Sequence, residues 1–444
     1  MTPQRILFAT MPLDGHFNPL TGLAVHLQQL GHDVRWYVGG PYGDRVRNLG
    51  LHHYPIVKAQ FVNQTNIDEI FPERTVLKNP IARLRFDIDQ FFLRRGPEYV
   101  EDIRAIYLEW PFDLIVYDCA CVGGLLVQQL LSVKGVSMGI IPLSESDDYV
   151  PVSGLGLQPA TSALGQIIQG LVRRFVQNVL FKPSNKLYNQ LRLQLGLPPE
   201  QGFVFDSLIR KADLYLQSGV PGFEFPRQQI SPTIRYVGSL LPHRSGKVGS
   251  FGLAECTLHY KHVVLVTQGT FECDPEKIIV PTLEVFKNDP DTMVIVTTGS
   301  SGTAELRHRY PQTHIIIEDF IDFNVVMPYV SVYVTNGGYG GVMMAIQHKL
   351  PIVVAGIHEG KNEIAARIAY CRVGINLKTE TPKPVQIQRA VRRVLADPLF
   401  KNQVRQLSHE FSQYQPNELA AGHIHALMMS QSNPILAGVS SPVD

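Results

Sequence analysis

The sequence predicts an α/β protein of two domains, each built on a parallel β-sheet with helices on both faces. At 444 residues the chain suits two domains of roughly 200 residues better than one hydrophobic core. Short β-rich runs alternate with helical patterns in both halves, as parallel sheets require. A stretch rich in Gly, Ser and Pro at residues 237–252 separates the halves and predicts an interdomain linker.

Ten runs of β-branched and aromatic residues predict the strands. In the first half they are RILFA, DVRWYV, DLIVYD, GVSMGII and ADLYLQS, and in the second half HVVLVT, MVIVTT, HIIIE, VSVYVT and PIVVAG. We place the domains at residues 1–240 and 259–412, with a linker at 241–258 and a C-terminal helix end and loose tail at 413–444 that returns toward the first domain.

Helix signals are clearest near the two ends of the chain. Asn18 is predicted to cap the first helix, with Pro19 at its first position and Gly31 at its end. The apolar spacing of residues 387–395 predicts another helix, followed by one at residues 399–414 and a loose tail from residue 430.

Composition excludes several classes of protein. Hydrophobic residues make up 45% and charged residues 18%, with a net charge of +1, so the chain is globular and has no basic excess for nucleic acid. Five cysteines without a CxxC pair predict reduced thiols and a cytoplasmic protein. We expect neither an export signal nor a membrane span.

Candidate chemical groups follow the strands directly, where ligands bind in doubly wound folds. His16 lies in the GHFNPL loop after the first strand, and Asp118 ends the strand DLIVYD. In one crevice the carboxylate would orient the imidazole and raise its basicity. A structural histidine and a strand-end aspartate fit the same positions, so sequence position leaves both interpretations open.

Two glycine-rich turns follow strands in the second half. VTQGT places Gly269 and Thr270 after one strand, and VTNGGYGGV places residues 336–341 between another strand and a helix. Free backbone N–H groups at a helix start suit a phosphate. Neither turn matches GxGxxG or a P-loop, and a tight strand-to-helix turn is the alternative.

Taken together, these segments resemble the GT-B glycosyltransferases of the UDP-glycosyltransferase superfamily, of the bacterial macrolide and natural-product type. The resemblance runs from Arg5 to about Leu427. It is carried by the order and spacing of ATMPLDGHFNPLTGLAVHLQQLGHDV, FDLIVYD, YVGSLLP, LVTQGT, DFIDFNVVMPYVSVYVTNGGYGGV and LPIVVAGIHEGKNEIAARI.

The resemblance implies two Rossmann-like domains facing a central cleft and an inverting sugar transfer, with His16 as base and Asp118 as its orienting partner. It implies a nucleotide-sugar donor in the second domain and no cofactor or metal. The implied donor-binding residues are Gly269, Thr270, Phe320, Ile321, Asn336, Gly338, Tyr339, Gly340, Gly341, Glu359 and Gly360.

The first domain is then expected to bind a small lipophilic hydroxyl acceptor such as a flavonoid, terpenoid or macrolide. The candidate pocket residues are Phe17, Phe86, Phe91, Phe92 and Leu143. The amphipathic segment 163–181 is expected to cover this pocket rather than to touch a membrane. We expect no stable membrane insertion, no nucleic-acid partner, and a monomer or weak dimer.

Three departures from the family pattern leave the donor open. Asn336 replaces the usual histidine of the glycine turn, Met344 replaces an acidic residue that holds the ribose, and residues 359–360 are Glu-Gly instead of Asp-Gln. UDP-glucose and dTDP-rhamnose are both candidates. A non-catalytic binding relative and a GT-B epimerase are the alternatives to a transferase.

Overall fold

The computed structural model describes residues 2–63, 65–243, 259–269, 272–358 and 360–430. In this part of the chain there are two parallel sheets. The first has the strand order β3-β2-β1-β4-β5-β6-β7, and the second has the order β10-β9-β8-β11-β12-β13. The strands are β1 Arg5–Ala9, β2 Asp33–Tyr37, β3 His52–Tyr54, β4 Leu114–Asp118, β5 Lys134–Gly139, β6 Leu214–Ser218, β7 Ile234–Gly238, β8 His262–Thr267, β9 Thr292–Thr297, β10 Ile315–Glu318, β11 Val332–Thr335, β12 Ile352–Val354 and β13 Gly374–Asn376.

Helices connect the strands and cover both sheets. In the first half they are α1 Asp14–Gln29, α2 Tyr42–Asn48, α3 Ile67–Ile70, α4 Pro80–Asp87, α5 Gly96–Glu109, α6 Val122–Leu131, α7 Ala163–Phe175, α8 Lys182–Gln194 and α9 Val204–Arg210. In the second half they are α10 Ile279–Phe286, α11 Thr303–Arg309, α12 Phe323–Val326, α13 Tyr339–Gln347, α14 Lys361–Tyr370, α15 Pro384–Ala396, α16 Pro398–Phe411 and α17 Pro416–Met429. Single π-helical turns extend α4 at Ile88–Leu93 and α7 at Val176–Leu180.

All ten predicted strands are present, and three further strands were missed. The missed strands are β3, β7 and β13, and each lies at the edge of its sheet. A strand at an edge has a neighbour on one side only and is often short, so its sequence lacks a long apolar run. Both β3 and β13 have three residues, with the sequences HHY and GIN. The Gly-, Ser- and Pro-rich stretch at residues 237–252, which predicted the linker, begins late in β7. Residues 244–258 lie outside the described residues.

The predicted start of the first helix is wrong. Helix α1 begins at Asp14, and Pro19 lies inside it. Asn18 does not cap the helix because it lies inside it. Its side-chain oxygen accepts a hydrogen bond from Arg45, which also donates to Asp14 at 2.6 Å. Asp14 in the first turn favours the earlier start through the helix dipole. The earlier start places His16 on the first turn of a helix rather than in a loop.

Each sheet is buried on both faces because successive side chains of a strand point to opposite sides. Ile6 and Phe8 of β1 pack in the cluster that contains the apolar face of α1, whereas Leu7 and Ala9 pack in the cluster that contains α5 and α6. In the second sheet, β8 divides its side chains in the same way between α15 and the helices α13, α14 and α16. Both sheets therefore have the rigid support that a site at their edges needs.

The predicted helices near the C-terminus are confirmed as α15 and α16. The last described helix, α17, packs against the first sheet, with Ala420, Ala421 and Ile424 in the same apolar cluster as α1. His425 on this helix lies 2.8 Å from His32, measured between their Nε2 atoms. The end of the described chain thus returns to the first domain. Of the tail that we predicted from residue 430, residues 431–444 lie outside the described residues. No helix in the described part of the chain is long and apolar enough to cross a membrane.

Candidate active site

The site lies where the carboxyl edges of the two sheets meet. In the first sheet, β1 and β4 are neighbours although they are not consecutive, and the same holds for β8 and β11 in the second sheet. The loops after such strand pairs leave in opposite directions, which opens a crevice at the strand ends. The hydroxyl of Tyr339, just after β11, donates to the Ser218 carbonyl at the end of β6 at 2.8 Å. The residue that follows β11 in the second domain therefore contacts the carboxyl edge of the first sheet.

His16 and Asp118 form a dyad in the first crevice. Nδ1 of His16 lies 2.8 Å from Oδ1 of Asp118. The His16 side chain is 17% exposed, whereas the Asp118 side chain is fully buried. A carboxylate accepting from Nδ1–H leaves Nε2 of the imidazole as the free proton acceptor. The structure thus brings together the two residues that the sequence proposed as base and orienting partner.

Backbone hydrogen bonds hold the Asp118 carboxylate in place. Its Oδ2 accepts from the Met11 N–H at 2.7 Å, and its Oδ1 accepts from the Ala120 N–H at 2.9 Å. Asp118 therefore connects the end of β4 to the loop that precedes His16. Such contacts preorganise the dyad because neither side chain needs to move before it acts.

The thiols beside the dyad are poor nucleophiles. Burial raises the pKa of the Cys119 thiol to about 12, and the nearby Asp118 carboxylate raises it in addition. The pKa of Cys121 rises for the same two reasons. A thiol with such a pKa stays protonated at neutral pH, so these cysteines do not supply a thiolate. His16 is therefore a better candidate for the base of this crevice than either cysteine.

Asn336 and Gln268 join the two turns of the second crevice. The Asn336 amide donates a hydrogen bond to the Gln268 carbonyl. The Gln268 side-chain oxygen accepts from the N–H groups of Ile278 and Ile279 at 2.8 and 3.0 Å, where α10 begins. Our prediction treated Asn336 as a donor to a ligand, but the structure uses one of its N–H bonds to hold the loop. Gln268 was missed, although it lies inside the LVTQGT motif.

Helix α13 begins directly after the Asn336 turn and points its first N–H groups into the crevice. Gly338 precedes the helix, and Tyr339, Gly340 and Gly341 form its first turn. The first N–H groups of a helix have no partner within the helix and attract anions. The side chain of Tyr339 is buried against the first domain. Only the backbone N–H of Tyr339 is therefore left to contact a nucleotide-sugar donor.

Three further predicted donor residues, Phe320, Ile321 and Gly360, lie at the same sheet edge. Phe320 follows β10 and is 66% exposed, so its ring is open to a stacking partner. Ile321 is partly buried against the core of the second domain. Gly360 precedes α14 and has a φ of 76°, a conformation that favours glycine. Thr270 and Glu359 lie outside the described residues.

Three of the five residues predicted for the acceptor pocket are buried. Phe17 is 1% exposed and packs on Trp36 between α1 and the sheet. Phe91 and Leu143 are also core residues, at 6% and 1% exposure. Apolar residues near a crevice are most often part of the core, and the acceptor-binding role of these three residues stays a prediction. Phe86 and Phe92 are partly buried and remain candidates.

An ion cluster between the domains was also missed. Arg367 of α14 is 2% exposed, and its Nε donates to Glu224 at 2.7 Å. Its Nη1 donates to Glu363 at 3.1 Å, while Glu363 accepts from the N–H groups of Gly154 and Gly156. Burial by itself lowers the pKa of Arg367, but the two carboxylates raise it above its ordinary value. The cluster connects the second domain to two segments of the first.

A substitution at Gly356 tests how tightly the Asn336 turn is packed. A Cβ atom at this position would lie 2.0 Å from the Asn336 carbonyl oxygen, whereas a Cβ at Gly338 would meet nothing within 4 Å. Gly356→Ala is expected to lower the free energy of unfolding by about 1–3 kcal/mol and to weaken nucleotide binding. Gly338→Ala is the matched control and should keep the unfolding free energy. Urea unfolding and titration with UDP and dTDP measure both, and an unchanged Gly356→Ala protein would contradict the packing.

The arrangement is that of a two-domain enzyme acting on a nucleotide donor: two Rossmann-like sheets meet at their carboxyl edges, with a His–Asp dyad at one edge and a glycine-rich helix start at the other. Residues 287–427 match the family described as erythromycin biosynthesis protein CIII-like, C-terminal domain. The chain is 32% identical to 4'-demethylrebeccamycin synthase of Lentzea aerocolonigenes over 92% of its own length and 96% of that protein. The chain therefore belongs to the natural-product GT-B glycosyltransferases of the UDP-glycosyltransferase superfamily.

Two further comparisons agree with this membership. UDP-glucosyltransferase A1 of Starmerella bombicola is 25% identical over 92% of this chain and 89% of that protein. The crystal structure of the glycosyltransferase of kitacinnamycin superimposes with a TM-score of 0.73 at 18% identity, covering 96% of this chain and 100% of that one. The chain is thus a glycosyltransferase that uses a nucleotide sugar, which decides against a binding-only relative and an epimerase.

Proposed function

We propose that this enzyme transfers a hexose, with inversion, from a UDP-glucose or dTDP-rhamnose type donor to a hydroxyl group of a small lipophilic acceptor. The observation that carries this proposal is the His16–Asp118 hydrogen bond of 2.8 Å at the edge that faces the second domain. A base in this crevice meets an acceptor held by the first domain and a donor held by the second. This arrangement suits direct displacement at the anomeric carbon.

In the proposed step, Nε2 of His16 takes the proton of the acceptor hydroxyl as its oxygen attacks the anomeric carbon. The new glycosidic C–O bond forms while the bond from that carbon to the diphosphate oxygen breaks. The bonding electron pair leaves with the nucleoside diphosphate, and His16 keeps the proton until it passes to solvent. Asp118 stabilises the imidazolium that forms.

The second domain then serves the leaving group. Negative charge grows on the diphosphate as the bond breaks, and in this proposal the N–H groups at the start of α13 stabilise that charge. Gly269 after β8 lets a phosphate come close to the backbone, and its φ is 77°. We propose that Phe320 stacks on the nucleotide base and that residues 359–360 contact the sugar. Metal independence is part of the proposal.

Met344 gives a test of the nucleotide preference. It lies on α13 and packs partly buried against the core of the second domain. A carboxylate here would accept hydrogen bonds from a ribose diol, which deoxyribose lacks. Met344→Glu is expected to raise the kcat/KM ratio of UDP-glucose over dTDP-rhamnose about 10- to 100-fold. Met344→Gln has a similar size without the charge and should change the ratio less. An unchanged ratio in Met344→Glu would place the ribose elsewhere.

The experiment that tests the proposed function is mass spectrometry of the products from a flavonol with either donor. Wild-type enzyme should yield the glycosylated flavonol, and His16→Ala should yield almost none. Inverted configuration at the anomeric carbon, measured by the one-bond carbon–proton coupling at that carbon in NMR spectra, should accompany transfer. Retained configuration would contradict the displacement, and equal product from His16→Ala would contradict the assignment of the base.

A further inference from the structure

Helix α7 and its π-helical turn present an apolar face to solvent. We name six residues of this face the outer stripe: Leu164, Ile167, Ile168, Leu171, Phe175 and Val179. Their exposed fractions lie between 52% and 68%. The spacing of the first five places them on one side of a helix. An amphipathic helix normally turns such a side toward the core, so this helix has the reverse orientation.

Polar residues on the inner side of α7 hold it in this orientation. Gln169 is buried; it donates to the Asp148 carbonyl at 3.3 Å and accepts from the Ala160 N–H at 3.1 Å. Arg173 donates to the Asp147 carbonyl at 2.5 Å, and Gln177 donates to the Ser146 hydroxyl at 2.7 Å. Rotating the helix to bury the stripe would break these bonds. These contacts therefore hold the outer stripe toward solvent. The prediction that the segment 163–181 covers an acceptor pocket is wrong for this apolar side.

The charged residues of the segment that carries the stripe have one sign. The sequence contains no Asp or Glu between residues 149 and 199. Of the cations in this stretch, Arg173 pairs with Asp148, and Arg192 pairs with Glu200. Arg174, Lys182 and Lys186 are exposed near the C-terminal end of the stripe. Apolar side chains flanked by Lys and Arg are the pattern of helices that lie in the interface of an anionic membrane.

We propose that the outer stripe, with Arg174, Lys182 and Lys186, docks on the surface of an anionic lipid bilayer. The apolar residues enter the headgroup region, and the cations pair with lipid phosphates. A second copy of the chain fits less well, because a twofold interface pairs a surface with itself and would bring these cations together. The nearby Asp148 is already paired with Arg173. The docking proposal does not depend on the proposed function. Only one consequence of docking, that the enzyme takes lipophilic acceptors from the membrane, rests on the proposed function.

The test is flotation of the full-length enzyme with vesicles of phosphatidylcholine alone or mixed with an equal amount of phosphatidylglycerol. Wild type should bind the mixed vesicles, less so at high salt. The double variant Ile167→Ser, Leu171→Ser should bind at least about tenfold more weakly. Replacing each of the three cations by Gln should cost about fivefold per residue on mixed vesicles only. Leu108→Ser, at a residue 85% exposed on α5, is the matched control and should bind like wild type.

Two results would overturn the proposal. One is wild-type enzyme that does not bind the mixed vesicles, or a double variant that binds them as well as wild type. The other is a dimer, seen by sedimentation, that the double variant abolishes in an enzyme without vesicle binding. That result would assign the stripe to a second copy. Glycosyl transfer to a water-soluble acceptor should be equal in wild type and the double variant, which separates this test from that of the dyad.

Discussion

His16→Ala is expected to lower kcat by about 10²- to 10⁴-fold, because the acceptor hydroxyl loses the group that takes its proton. The proposed nucleotide site lies in the second domain, so the Kd for UDP or dTDP should stay unchanged. Steady-state kinetics and isothermal titration measure the two quantities. His26→Ala is the matched control, since His26 lies in the last turn of the same helix and should keep wild-type kcat.

Asp118→Asn extends this prediction to the orienting partner. Asp118 accepts from His16 and from two backbone N–H groups, and an amide has only one oxygen to replace both carboxylate oxygens. We expect a loss of kcat together with a loss of stability of about 1–3 kcal/mol from an unpaired buried N–H.

A His16→Ala variant with a kcat within a few-fold of wild type would show that another group takes the proton.

Arg367→Met is expected to lower the free energy of unfolding by about 3–5 kcal/mol, because Glu224 and Glu363 would stay buried without their cation. The cluster also joins the domains, so the loss should separate their unfolding. Calorimetry should show one main transition in wild type and two transitions in the variant. Arg389→Met removes an exposed arginine on the neighbouring helix α15 and should change the unfolding free energy by no more than about 0.5 kcal/mol.

A second variant tests whether the cost comes from the unpaired carboxylates. In Glu224→Gln, Arg367→Met, only Glu363 stays charged, and it keeps the backbone N–H groups of Gly154 and Gly156. This double variant should recover part of the loss of Arg367→Met, since an amide costs less to bury than an unpaired carboxylate. An Arg367→Met protein as stable as wild type would mean that the cluster does not hold the domains together.

Local patterns in the sequence predicted much of this enzyme. Ten strands were predicted because each has a continuous apolar run, which buried strands of a parallel sheet need. The missed strands β3, β7 and β13 lie at sheet edges, where such a run is not required, whereas the edge strand β10 has one and was predicted. His16 and Asp118 were predicted because a residue after a strand lies at the carboxyl edge, wherever the helices pack. That reasoning requires only the order of the elements along the chain.

Contacts between distant residues were beyond such reasoning. Arg367 meets Glu224 across 143 positions of sequence, and Asn336 meets Gln268 across 68. The burial of Phe17 and the outward face of α7 also depend on neighbours that lie elsewhere in the chain. Periodicity shows that a helix has an apolar side, but not which way that side points.

By itself, the sequence determined the α/β class, the two sheets and the crevice residues that follow their strands, because backbone periodicity and turn chemistry are local properties. The tertiary structure decided which apolar residues became core, how the Asn336 amide was used, and how the domains were joined. The physical reason is that burial and pairing depend on which residues meet in space, and that becomes defined only when the sheets and helices pack together.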